Sequence, residues 1–506
     1  MGIHMPPSLA TLAQSEQLLI YDAITCAGEY LYLSYAAQDS SSNALLPSEI
    51  VGRIRTLFPD IPYADDLISL PDDERMITAK KAVFDMLCGK IREYALGKKP
   101  LSPAMSAAAY YFCNDEVYAP LLNDALLMTR FENASSPIDE ELISKVLGDN
   151  MKTSVTRLES YNKCPFSYFA KYLLKLEPKR TFEVSVSDSG SFLHDFLDRF
   201  SRFVSESTDE YGNPLTWHSI DNDFIRINTP VILEEVLCSV NGEMLEIPRI
   251  KALFDRLCRV AVQSVYVLRR HIVKSDFVPL GYEISFDEDG CFKPTKIKLD
   301  DGKTVTLRGR IDRADEFTLT MPDGESGKFV RIVDYKSSDK TLSLSDVYHG
   351  VQLQLFVYLS TLCKNGYSPA GILYYNLSDP IVEVTPQATE DEILQKRFEQ
   401  RRMSGIVLSE NDMAERMGGI ETLKSKKTAT AKNFNAMFRH LDKVIKNTAE
   451  DIYSGNFPIE CTSDACDWCE YKHLCRFEKS FAGCNVRDNE KLKDDEVWAI
   501  LEEGEI

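Results

Sequence analysis

The chain has 506 residues, 44% hydrophobic and 27% charged, the composition of a folded protein with room for about two to four domains. A formal net charge of −20 argues against a surface that grips duplex nucleic acid everywhere and leaves only a local basic groove for that role. No apolar run approaches the roughly 20 residues of a membrane span. No signal-peptide pattern opens the chain, and the thirteen cysteines are scattered and odd in number, so reduced thiols in a cytoplasmic protein are expected.

Residues 15–25 read as a helix that runs into a β-type stretch, Tyr30 to Tyr35. This pair resembles the last conserved motif of superfamily 1 helicases, in which an arginine senses the nucleotide γ-phosphate. Cys26 stands at that arginine's place. The chain also lacks a G-x-x-x-x-G-K-[ST] phosphate loop, so ATPase or helicase activity is not expected from it alone. Residues 65–150 read as helices between polar turns, at Asp73–Tyr94, Ser102–Tyr111 and Ser136–Leu147, with no chemistry of their own.

The character changes at Ser154, an N-cap that opens a short helix ending at Cys164-Pro165-Phe166. A second helix starts near Ser189 and carries His194, a residue type that is more often structural than a ligand. Asp221 to Lys274 is apolar at helical spacing and reads as scaffold, and Val278–Phe286 reads as a strand. Glu283 on that strand is taken as structural, or as acting behind the catalytic groups. Cys88, Cys238, Cys258 and Cys363 lie in apolar helical runs and are expected to be buried small hydrophobes.

Two strand-like runs, Val305–Leu319 and Lys328–Tyr335, flank the polar turn Met321–Gly327 and predict a hairpin. Asp312 falls in the first run. Asp334 and Lys336 end the second, two apart and therefore on one face. Two carboxylates and a lysine are what metal-assisted phosphodiester hydrolysis requires. The carboxylates are hard oxygen ligands for Mg²⁺ or Mn²⁺, and the lysine is a cation for the water or the transition state. Taken alone, three such residues at a strand end usually make no more than a solvated edge, and it is the surrounding motifs that change that reading.

Leu342–Cys363 reads as one helix, with Gln354 and Tyr358 on a shared face. Gln352 points elsewhere and needs a polar partner if buried. Gly371–Asn376 reads as a strand. Residues 410–433, rich in lysine, read as a solvated loop or as a flap that touches phosphates, and Phe434–Ser454 as a helix. Cys466, Cys469 and Cys475 then give C-x₂-C-x₅-C. Three thiolates need a fourth ligand, for which Cys164 and Cys461 compete. A three-plus-one pattern suits a [4Fe–4S] cluster, since zinc sites usually come as paired C-x₂-C knuckles; zinc and plain reduced cysteines stay open as readings. An acidic tail runs from Asp488 to Ile506.

In this order the motifs resemble the RecB-like branch of the PD-(D/E)XK nucleases, in the iron–sulfur form carried by the AddB subunits of AddAB helicase–nucleases. Cys164-Pro165-Phe166, the His194 helix, Gly309-Arg310-Ile311-Asp312, Asp334-Tyr335-Lys336, Gln354 with Tyr358, and the cysteine triplet carry the likeness. The resemblance implies a restriction-endonuclease-like mixed α/β sheet flanked by helices, preceded by a small α/β helicase-like remnant and a helical linker. Its implied boundaries are 1–60 for the remnant, 61–150 for the linker, 151–484 for the nuclease domain and 485–506 for the tail. It also implies that His194, Asp312, Asp334 and the Tyr335 carbonyl bind Mg²⁺ or Mn²⁺. Lys336 would be the catalytic lysine, with Gln354 and Tyr358 orienting site or strand, and Cys164, Cys466, Cys469 and Cys475 would hold a structural [4Fe–4S] cluster. The implied activity is exonucleolytic cleavage of single-stranded DNA, on the 5′-ended strand, in double-strand-break processing with an AddA-type partner. A CRISPR-associated iron–sulfur exonuclease and a non-catalytic DNA-binding subunit are the alternatives.

Overall fold

The computed structural model describes residues 8–36, 44–61, 79–97, 99–177, 186–238, 246–320, 326–337, 340–385, 387–424, 427–479 and 483–503. The chain forms two compact units, Met1–Thr129 and Arg130–Ile506.

In the first unit, helices Lys80–Ala95, Pro103–Cys113 and Tyr118–Met128 pack through Val83, Phe84, Leu87, Ile91, Met105, Phe112 and Leu122. Ser102 caps the second of these by accepting from the Met105 amide, and Pro103 takes the first helical position, where its missing N–H costs nothing. Tyr118–Met128 is a helix beyond those read from sequence; its Pro120 falls in the first turn and is tolerated there. Residues 73–78 of the expected helix lie outside the described residues. Helix Leu9–Thr25 forms as expected, but Tyr30–Tyr35 does not become a strand. None of the described strands includes it, and a strand's amides and carbonyls need a ladder to form.

The second unit is built on a mixed sheet. Its strands are β1 Asn150–Ser154, β2 Val278–Phe286, β3 Thr295–Lys298, β4 Thr304–Thr320, β5 Ser326–Lys336, β6 Ser368–Asn376, β7 Ser404–Leu408 and β8 Thr428–Ala429. The order is β1-β4-β5-β6-β7-β8, with β2 and β3 also paired to β4. β4 and β5 are antiparallel with Arg313 opposite Val333, as the hairpin reading required; residues 321–325 of its turn lie outside the described residues. β5 and β6 are parallel, and β5 is buried from Phe329 to Tyr335, which is why it reads as a continuous apolar run rather than an alternation. Adjacent residues of β6 show that both faces are covered. Tyr374 meets Gln352 on one side, while Tyr375 reaches Ser264 and His271 of helix Pro248–Val273 on the other.

Four further readings are corrected or refined. The apolar stretch 221–274 is two helices, Asn222–Cys238 and Pro248–Val273, the second opening on a proline at its first position. Leu342–Cys363 is also two helices, Leu344–Tyr348 and Gln354–Lys364. Gly350 breaks them apart: its φ is +77°, and a Cβ there would lie 2.5 Å from Asn162 Nδ2, which donates to the Gly350 carbonyl. The lysine-rich segment is not a free loop. It contributes β8 beside β7, while Lys427 and Lys432 pair with Asp494 and Glu502 of the tail helix Asp494–Glu503, docked through Val497 and Leu501. Finally, Cys88, Cys258 and Cys363 are only partly buried, and Cys238, the last residue of its helix, is exposed.

Candidate active site

The sheet's register assembles the site. Tyr282 and Ile284 of β2 face Arg313 and Ile311 of β4, so Glu283 comes to lie across from Asp312. Glu283 has φ +46°, a left-handed conformation that a side chain rarely adopts, held here within a paired strand. On the other side of β4, the Tyr335 amide donates to Asp312 Oδ2 at 2.8 Å, tying the carboxylate to the end of β5. Helix Val186–Glu206 brings His194 over this edge. Its Nε2 donates to the Tyr335 carbonyl at 3.0 Å, which fixes the tautomer. The neutral ring then aims its Nδ1 lone pair at Asp312 Oδ2, 3.5 Å away, and at Glu283 Oε1, 4.0 Å away.

Three lone-pair donors lie within 4.8 Å of one another, a crowding that a shared proton or a cation would relieve. Their electrostatics agree. Burial and the neighbouring Asp334 push the Asp312 carboxyl well above its ordinary range, burial raises Glu283, and burial lowers His194. The donor set, one imidazole and two carboxylates, fits a divalent cation.

Asp334 stands beside this cluster and is engaged differently. Its Oδ2 is 2.5 Å from Lys336 Nζ, and its Oδ1 accepts from Gln354 Nε2 at 2.9 Å. Gln354 Oε1 lies 3.4 Å from the same Lys336 ammonium, and Gln354 Nε2 is 3.3 Å from the Tyr358 hydroxyl. The residues singled out in sequence thus form two adjoining groups, His194 with Asp312 and the Tyr335 backbone, and Asp334 with Lys336, Gln354 and Tyr358. Members of both line a cleft of about 760 Å³, walled also by Glu283, Gly309 and Arg310. Gly309 leaves room for two rings: a Cβ on it would lie 2.5 Å from Phe286 and 3.3 Å from Tyr358.

Three residues were missed or undervalued in sequence. Glu283 is part of the cluster, and its signal was only the pairing of β2 with β4. Arg310, given no role, forms an ion pair with Glu283, its Nε 2.6 Å from Oε2, while its side chain stays 66% exposed at the cleft. Glu159 is buried and accepts from the Leu353 and Gln354 amides at 2.6 and 3.0 Å. It thereby caps, from another helix, the helix that carries Gln354 and Tyr358. Gln352, as expected, points away and is satisfied by Thr341, Ser343 and Tyr374.

Behind the site, Arg313 and Arg331 both bind Asp315, at 2.6 and 2.8 Å, and all three side chains are fully buried. Burial raises the Asp315 carboxyl, but the two guanidiniums outweigh it and hold it below its usual range.

The cysteines converge at the other end of helix Val155–Lys163, which Cys164 closes. The Cys164 thiol is pushed up to about 11, by burial first and then by Cys469, Cys466 and Cys475 close by. Phe457 stacks on Phe169 at 5.1 Å, and the Tyr471 hydroxyl donates to the Leu176 carbonyl at 2.8 Å, so the C-terminal segment is also held to this region without the thiols. None of these cysteines is in a disulfide. Cys164 and the segment of Cys466, Cys469 and Cys475 are thus brought to one region of the fold, all as free thiols.

Residues 152–476 match the PD-(D/E)XK nuclease superfamily. The chain is 30% identical over 531 residues to the B subunit of the ATP-dependent helicase/deoxyribonuclease from Clostridium acetobutylicum, covering 99% of this chain and 45% of that protein. It is 32% identical over 518 residues to the subunit of the same name from Caldanaerobacter subterraneus subsp. tengcongensis, covering 96% and 44%. A third such subunit, from Clostridium novyi, is 31% identical over 535 residues, covering 100% and 46%. The chain therefore spans less than half the length of these relatives. With the match extending over the sheet, the cleft and the cysteine segment, the chain belongs to the PD-(D/E)XK nuclease superfamily and is a homologue of the helicase/deoxyribonuclease B subunits.

Proposed function

We propose that this chain is the nuclease part of an AddB-type subunit, cleaving single-stranded DNA with Mg²⁺ or Mn²⁺ in double-strand-break processing beside an AddA-type partner. The observation that carries the reading is the facing of His194, Glu283 and Asp312 lone pairs in one open cleft that Lys336 also lines, with Asp334 buried against Lys336. His194, Asp312, Asp334 and the Tyr335 carbonyl would hold the cation, with Glu283 as a further ligand. When bound, the cation supplies Lewis acidity to a water and to the phosphate. Lys336 presents the ammonium that orients the attacking water or offsets charge on the phosphoryl oxygens. Gln354 holds both Asp334 and Lys336 in place, and Tyr358 backs Gln354. Arg310, exposed at the rim, offers its outer nitrogens to the DNA backbone.

The relatives' names supply the word deoxyribonuclease. The 5′-ended strand and exonucleolytic mode rest on the family resemblance. In the same reading, residues 1–60 are a helicase-like remnant and 61–150 a helical linker, and Cys164, Cys466, Cys469 and Cys475 hold a [4Fe–4S] cluster that ties the first helix of the nuclease domain to its C-terminal segment. Degradation of a fluorescent single-stranded oligonucleotide tests the proposal. It is expected with Mg²⁺ or Mn²⁺, and neither with EDTA nor in Asp312→Asn. Equal degradation by Asp312→Asn would overturn it.

A further inference from the structure

Five thiols, not four, meet in the cysteine region. Cys461 Sγ lies 3.3 Å from Cys466 Sγ, closer than any other pair of thiols named here. The local chain explains the approach. Cys461 lies near the end of β9, Ile459–Thr462, which pairs in parallel with β10, Cys484–Arg487. The chain then turns at once: the Ala465 amide donates to the Thr462 carbonyl at 3.1 Å, and the Thr462 hydroxyl meets Asp464 Oδ1 at 2.9 Å. This turn folds Cys466 back over Cys461. Through this contact with Cys466, Cys461 adjoins the thiols of the C-x₂-C-x₅-C segment. Its side chain is 3% exposed and faces inward. The sixth nearby thiol, Cys484, is occupied by Asn133, whose Nδ2 donates to it at 3.3 Å and to the Cys475 carbonyl at 2.8 Å.

A tetrathiolate cluster has four corners. Two thiols in van der Waals contact cannot serve two corners, since each corner is a separate iron. We infer that Cys461 and Cys466 share one corner, so that either thiolate can ligate the same iron while Cys164, Cys469 and Cys475 hold the other three. The inference rests on the cluster reading above. It makes the corner nearest the turn exchangeable and the other three fixed.

The test is reconstitution of the full chain with Fe²⁺ and sulfide under a thiol reductant, read as bound iron and sulfide and as absorbance near ~400 nm. Circular dichroism of each variant confirms its fold. The wild type loads, and Cys475→Ser loses the cluster. Cys466→Ser keeps more than half of the wild-type iron, Cys461→Ser keeps nearly all of it, and the double variant Cys461→Ser/Cys466→Ser falls to the Cys475→Ser level. A folded Cys466→Ser that is as empty as Cys475→Ser overturns the inference, and so does a double variant that still loads. A folded, reduced wild type that takes up no iron and sulfide removes the cluster reading itself, and the shared corner with it.

Discussion

Asp312 is the residue on which the site turns. It is tied to the Tyr335 amide, faced by the His194 lone pair, and pushed up by burial and by Asp334. A carboxyl whose folded pKa lies above its unfolded value binds more protons folded than unfolded. Between the ordinary value of 3.8 and that raised value, the cation-free protein therefore loses stability as pH rises. A divalent cation competes with that proton, so its stabilising effect must grow over the same window. Thermal midpoints with and without Mn²⁺ should diverge as pH rises through it, and should stay together in Asp312→Asn; a pH-independent increment would refute the linkage. Asp315 behaves in the opposite sense. Its carboxyl is depressed by Arg313 and Arg331, so its contribution is present above the ordinary range and lost as pH falls through the depressed value. Asp315→Ala strands two buried guanidiniums and should cost about 3–5 kcal/mol in chemical denaturation. At this scale Asp312, Asp334 and Lys336 were legible because a two-residue period puts Asp334 and Lys336 on one face. Glu283 was not, because its role depends on which strand lies beside β2 and on a left-handed backbone that no residue type announces.

Between elements, one short helix does two jobs. Val155–Lys163 ends at Cys164 and, one turn before that end, carries Glu159, which caps the helix of Gln354 and Tyr358. Gln354 in turn holds Asp334 and Lys336. Glu159 is thus a positioning residue that acts through Gln354. Glu159→Ala leaves two buried amides unpaired, a loss of about 1–3 kcal/mol in stability. It should also lower cleavage without adding to the loss in Gln354→Ala, and additive losses in the double variant would mean that Glu159 acts elsewhere. The strands β2, β5 and β6 and the hairpin were legible from apolar patterning and turn residues. The break at Gly350 was not, since helical spacing continues across it and only the packing of Asn162 requires the glycine. That break matters, because it makes Gln354 the first residue of a new helix and opens its amide to Glu159.

For the molecule as a whole, a net charge of −20 means that, on the proposed function, DNA contact would fall to local groups such as Lys336 and Arg310 at the cleft. The lysines of the 410–433 segment, legible as charge but not as structure, are partly spent on the acidic tail helix. The cysteine spacing pointed to the C-terminal segment, but not to the contact of Cys461 with Cys466, which only the turn after β9 produces. The central proposal is that the cleft hydrolyses DNA strands through Asp312, Asp334 and Lys336. The most direct test is degradation of 5′- and 3′-labelled single-stranded DNA by the native chain and by Lys336→Ala, with Mg²⁺ or Mn²⁺. Metal-dependent loss of the 5′ label is the predicted result, with Lys336→Ala slower by at least about 100-fold. Cleavage that Lys336→Ala retains in full, or no cleavage by the folded, metal-loaded chain with an AddA-type subunit added, would contradict it.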